Sequence, residues 1–180
     1  MQALANLPPL VKLLIPVAIT AWMLTVAIMD HRTGRIPNWL TAPVIFGVGA
    51  IRLIEGFQGQ PVRFLLLVAW GVIFALWMLH FIGGGDAKFL MGEFALFPSM
   101  GFVALLAIVL LVITLPLLLL ELRGRRLSEV RGSLSDRMVL GQILPTEEDL
   151  QTRGRRYAWT FAIPGIIYTW FYWGELGKWM

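Results

Sequence analysis

The 180-residue chain has no cysteine and only two histidines. The first absence excludes disulfides, cysteine-ligated zinc and thiol catalysis at once, without fixing a redox compartment. Any chemistry must therefore use carboxylates, histidines or hydroxyls. Charge is scarce as well, since Asp, Glu, Lys and Arg make up 14% of residues against 58% hydrophobic ones. A basic leader is also missing: the opening MQALANLPPL carries no Lys or Arg, and the apolar run from Leu10 to Met29 ends in DHRTGR rather than at a small-residue cleavage site. That run reads as a retained helix, not a removed signal peptide. There is no internal repeat and no low-complexity tract.

Apolar surface is what the chain has in excess. Eight tryptophans and a mean hydropathy of +0.74 exceed what a water-soluble domain of this length needs for its core. The composition predicts an all-α, polytopic membrane protein, a single membrane-embedded domain over 1–180 with about six transmembrane helices. After the first run, a second covers about 39–54, introduced by Pro37 and Asn38, which suit a helix start. A third, 64–82, is nearly free of polar side chains before His80. The next segment, 87–97, would rise only about 17 Å as a helix against a hydrocarbon core of about 30 Å. It spans only if tilted, extended, or set in a thinned or protein-lined region. A fifth run, 102–120, contains Pro116, expected to kink it. The sixth, about 157–173, has Trp and Tyr near its ends, as interfacial anchoring favours.

Between the last two runs, residues 121–156 hold eight arginines against six acids, which predicts a basic cytoplasmic loop. Within it, PTEEDLQTRGRR suggests a short helix capped by Thr146, with acids in its first turn and arginines toward its end. The loop is either a solvated interfacial linker or an element that docks substrate. Charge alone does not settle the topology: a six-span and a five-span arrangement each place 11 of the 15 basic residues inside.

Ionisable groups within or bordering apolar spans are costly and therefore point to function. Asp30 closes the first run, Asp86 follows the third, and Glu93 lies seven residues further on. Two runs separate the aspartates, so an up-and-down arrangement returns both to one membrane face. Close carboxylates tend to share one proton, which leaves a base and an acid around a single water, an arrangement that hydrolyses amides. Gly83, Gly84 and Gly85, just before Asp86, permit unusual backbone angles and the close approach of an extended peptide. Read more plainly, they form a flexible turn and Asp86 caps the next helix.

GGGDAK at 83–88 resembles the GxGD signature of membrane-embedded aspartic proteases, and DHRTGRIPN at 30–38 resembles the D-x5-I-P-N pattern of prepilin peptidases of type IV pilus, Tad and archaeal flagellum systems. Both elements occur in family order, each at the end of an apolar run, and the likeness covers roughly 12–121. Beyond it only FAIPGI at 161–166 is faintly similar, and the basic loop is a departure. Presenilin-like and signal-peptide-peptidase-like enzymes share GxGD but are poorer matches, because the Pro-Ala-Leu element and a Tyr before Asp30 are missing.

The resemblance implies an aspartic endopeptidase with Asp30 and Asp86 as catalytic residues on the cytoplasmic side, which favours six spans. It implies removal of the short leader from pilin-, pseudopilin- or archaellin-like precursors in a prokaryotic cytoplasmic membrane. Those precursors and membrane lipid are the implied partners, with pilus or secretion machinery nearby, no nucleic acid and no cofactor. The cysteine-bearing methyltransferase region of bifunctional members has no counterpart before Asp30, so cleavage without methylation is expected.

Gly83, Gly84, Gly85, Lys88, Pro37, Asn38 and Glu93 are candidate substrate-binding or supporting residues. Lys88 lies one turn into a helix whose N-terminus disfavours a cation, so an anion is expected beside it. Glu93 falls on nearly the same helical face as Asp86, about 10 Å deeper. It is either protonated or hydrogen-bonded to a neighbouring helix, or meets a polar group of a bound precursor helix. His31 and His80 lie at opposite ends of the constellation, and no metal is expected. Helix ends place the shared proton on Asp30, because Asp30 closes its helix whereas Asp86 opens one. A non-enzymatic carrier or assembly subunit using Asp30 and Asp86 as a proton or cation relay is the alternative reading.

Overall fold

The computed structural model describes residues 8–57, 62–79, 81–124 and 158–179. The helix expected within the basic loop, and His80, lie outside the described residues. Among the described residues all regular structure is helical, in six segments.

Helix α1, Pro9–Thr33, begins on Pro9, whose missing N–H costs nothing at a first turn. It ends at Gly34, which takes a left-handed φ of 66° and donates its N–H to the Asp30 carbonyl at 2.8 Å. The second segment starts after Pro37 as α2, Asn38–Ala42, widens into a π-helical stretch, Pro43–Val48, and continues as α3, Gly49–Phe57. Pro43 has no N–H to give the ladder, and the widened turn starts at it, with the Gly49 N–H reaching both the Ile45 and Phe46 carbonyls. Helix α4, Val62–Met78, stops short of the end of its apolar run. Helices α5, Gly84–Leu96, α6, Met100–Gly124, and α7, Ala158–Trp179, follow, with Pro116 inside α6 and Pro164 inside α7.

Helix α5 is the hub. Its buried residues, among them Ala87, Phe89, Leu90, Glu93 and Phe94, occupy successive positions around the helix rather than one stripe, so it is enclosed on several sides. It packs on α4, on the π-helical stretch and its flanking helices, and on α7, while α7 also packs on α1 and α6. The side chains that bridge helices use carbonyls that helix geometry leaves reachable. Trp22 Nε1 donates to the Leu40 carbonyl at 2.8 Å, Trp70 Nε1 to Met91 at 2.9 Å, and Arg52 to Leu96, near the end of α5, at 3.3 Å. At the far end of α5, Phe97, Phe102 and Tyr168 form a ring cluster in which Tyr168 meets both phenylalanines edge-on, pinned by a 2.6 Å Ser99–Tyr168 hydroxyl hydrogen bond.

One helix among the described residues, Leu10–Thr33, is long and apolar enough to cross a membrane; Asn38–Ile54, Phe64–Met78 and Met100–Ile113 are apolar but shorter. The outward faces carry large apolar side chains, including Leu13, Ile28, Phe46, Ile51, Phe74, Ile108 and Phe171.

Candidate active site

Asp30 lies in the last turn of α1 and is nearly buried, at 8% exposure. Asp86 lies in the first turn of α5 and is partly buried. The turn that follows Asp30 packs on the first turns of α5, with Ile36 on Gly85 and Asn38 bonded to Lys88, so two carboxyl groups separated by the whole of α2, α3 and α4 lie at one end of the bundle, near enough to interact electrostatically.

The segment between Thr33 and Asn38 is what ties the two helices. Gly34 turns the chain, and Thr33 Oγ1 donates to the Met29 carbonyl at 2.8 Å while accepting the Arg35 N–H at 3.2 Å. Ile36 is thereby turned inward and packs on Gly85, where an added Cβ would stand 3.3 Å from Ile36 Cγ1. Pro37, extended at φ −71° and ψ 143°, precedes the first residue of α2. Asn38 then accepts a 2.7 Å hydrogen bond from Lys88 Nζ. A neutral amide oxygen thus stands beside Lys88 where an anion was expected.

The three glycines serve through their size. Gly83 has φ −67° and ψ 150°, Gly84 and Gly85 are helical, and among the described residues only Gly34 has a positive φ. A Cβ on Gly84 would stand 3.2 Å from Trp77 Nε1, and one on Gly83 3.5 Å from Asp86 Oδ2. Expected unusual backbone angles are therefore absent, and the groups that approach Gly84 and Gly85 are the chain's own Trp77 and Ile36 rather than the extended peptide that the sequence suggests.

The site has a third contributor that the sequence did not reveal. Ala158, the first residue of α7, points its N–H at Asp30 Oδ2 from 3.4 Å. Asp30 therefore closes one helix but also faces the first turn of another, so helix ends alone do not set the two aspartates apart as the expected proton placement on Asp30 requires.

Glu93 lies two turns along α5 from Asp86 and is fully buried, with neither carboxyl oxygen hydrogen-bonded among the described residues. Its neighbours there are Met23 of α1 and Gly165 of α7. His31 is exposed, and the described residues contain no group of three or more His, Cys, Asp or Glu side chains placed to hold a metal ion.

Comparison with known proteins adds one finding. No curated protein and no solved structure matches the chain. The sequence pattern of the type IV leader peptidase family, peptidase A24, matches residues 17–120. That span takes in Asp30, the Ile36-Pro37-Asn38 turn and the Gly83–Lys88 segment, and it is more than half of the sequence. The chain belongs to the type IV leader peptidase family.

Proposed function

We propose that this protein is a multi-pass membrane aspartic endopeptidase that removes the short leader from type IV prepilin-like precursors at the cytoplasmic membrane face. The observation that carries the reading is that the turn after Asp30 is held on the start of the Asp86 helix, which leaves both aspartates at one end of the bundle, in a member of a leader peptidase family. One carboxylate takes a proton from water as the water oxygen attacks the peptide carbonyl carbon; the other carboxyl gives its proton to the carbonyl oxygen. Collapse of the tetrahedral intermediate breaks the C–N bond and sends a proton to the departing amine. No cofactor is needed for that sequence.

The apolar outer faces support a membrane location, since contiguous exposed apolar surface of this extent has no place in water. Enclosure of α5 supports the short fourth span, because a helix of 13 residues, about 20 Å, need not match the bilayer when other helices line it. Pro37, Asn38, Lys88 and the three glycines act in this scheme as supports: they hold the Asp30 turn against the Asp86 helix. A precursor whose scissile bond lies at the cytoplasmic surface can leave its hydrophobic helix in lipid while the leader reaches the dyad.

The test is to incubate the purified protein, in detergent or lipid, with a prepilin-like precursor and to read the new N-terminus by mass spectrometry. Asp30→Asn and Asp86→Asn should each lower cleavage by roughly 10²–10⁴-fold while leaving the protein folded, because an amide neither activates water nor shares the proton. Near-normal cleavage by either variant sinks the assignment.

A further inference from the structure

Three helices carry one residue at the dyad and another seven positions away: Asp30 and Met23 on α1, Asp86 and Glu93 on α5, Ala158 and Gly165 on α7. Seven residues are close to two full turns, about 10.5 Å of axis, so each pair lies on one face. The dyad layer therefore has a counterpart deeper in the bundle. There, a Cβ on Gly165 would stand 2.5 Å from Glu93 Oε1 and 2.7 Å from Met23 Cε. Glu93 and Met23 are completely buried, and Gly165 is the notch that lets both side chains reach the α7 backbone. Because the two layers are equally spaced on all three helices, the fit at Gly165 sets how far α7 is advanced, and so where its first amide stands relative to Asp30.

We propose that α7 is a working part of the active site: the Ala158 backbone N–H orients the Asp30 carboxylate, and the Gly165–Glu93–Met23 layer keeps that amide in register. The proposal rests on the aspartic dyad of the preceding section, and both of its α7 residues lie beyond the span that matches the family.

An aspartate carboxyl turns through a broad torsional well unless a donor holds it. The Ala158 N–H is suited to that task because the first amides of a helix have no acceptor within the helix. Ala158 is fully buried, so the donor is shielded from water. The 3.4 Å separation is beyond the 2.7–3.2 Å usual for N–H···O bonds. A contact at that limit is lost with a small further displacement of α7, which is why the deeper notch matters. Glu93 and Gly165 act through the helix and are positioning residues.

The decisive experiment replaces Ala158 with lactate by nonsense suppression, turning one amide into an ester and deleting the N–H while keeping the methyl side chain. In cleavage of a prepilin-like precursor, kcat should fall about tenfold with KM within about twofold, since the donor acts on Asp30 and not on the substrate's helix. Ala158→Gly keeps the N–H and should keep kcat. Gly165→Ala should lower kcat in the same way, and Glu93→Ala added to it should restore part of the loss by opening space. Wild-type kcat in the ester variant overturns the role of the amide, and wild-type kcat in Gly165→Ala overturns the register. If Gly165→Ala does not give a monodisperse, folded protein, the ester variant decides alone. Full cleavage by Asp30→Asn would instead remove the dyad itself, an outcome distinct from an inactive Asp30→Asn beside an unaffected ester.

Discussion

Glu93 is the residue for which burial and bonding are most at odds. Leaving a buried polar group without a partner costs about 1–3 kcal/mol, and neither Glu93 oxygen has one among the described residues. Methionine is of similar volume, flexible and free of that cost, so Glu93→Met should stabilise the protein by about 1–3 kcal/mol, read as a higher thermal unfolding midpoint in detergent. A lower midpoint shows that the carboxyl has a partner worth more than its burial costs. At this scale, legibility followed side-chain chemistry. Asp30 and Asp86 stood out because amide hydrolysis by this route needs two carboxyl groups, and carboxyl groups at the ends of apolar runs are rare. The Ala158 amide could not stand out, since every residue but proline carries the same donor and only the fold aims this one at Asp30. The glycines stand out in the sequence, but not the space they leave for Ile36 and Trp77, which depends on neighbours that composition does not name.

Between elements, contact geometry separates glycines that look alike in the sequence. Gly49 opens α3 against α4, and a Cβ there would stand 2.5 Å from the far edge of the Trp70 ring. That ring has little room to yield, because its Nε1 is bonded to the Met91 carbonyl of α5 at 2.9 Å. Gly49→Ala should therefore destabilise by about 1–3 kcal/mol, as overpacked cores do. Gly47 and Gly71 have nothing within 4 Å of a built Cβ, and alanine at either should be neutral or stabilising by up to about 1 kcal/mol. Thermal unfolding of the three variants checks the contrast; equal midpoints mean that α3 and α4 do not meet at Trp70. The elements themselves were legible from the apolar runs, but their ends were not. Hydropathy marks residues that tolerate lipid or a core, so the third run continues to Ile82 while α4 stops at Met78. Helix α5 begins at Gly84, before Asp86, because a glycine lacks a side chain without being barred from helical angles. The π-helical stretch starts at Pro43, whose missing donor interrupts the ladder without ending the apolar run, so hydropathy leaves no trace of it.

For the whole molecule, the charge count left six and five spans level, and the arrangement of helix ends supplies the missing argument. Asp30 at the end of α1, Asp86 at the start of α5 and Ala158 at the start of α7 gather in one layer. Helix α5 leads away from that layer through Glu93, and α7 leads away through Gly165 at the same depth. The chain must come back between them, and α6 is the long helix available to return it. Under the proposed function, α5 therefore counts as a crossing despite its length, and Arg32, Arg35 and Lys88 share the cytoplasmic side. The chain has no native cysteine, so single cysteines can be placed without background. Those at Thr33 and Ser133 should react with a membrane-impermeant maleimide only after the cytoplasmic face is opened, and one at Gly59 should react in intact cells. A five-span chain puts Thr33 outside, where it reacts in intact cells at once. That result would move the dyad to the opposite membrane face, away from a leader that enters from the cytoplasm, and the cleavage reading would have to be abandoned even with both aspartates at one end of the bundle.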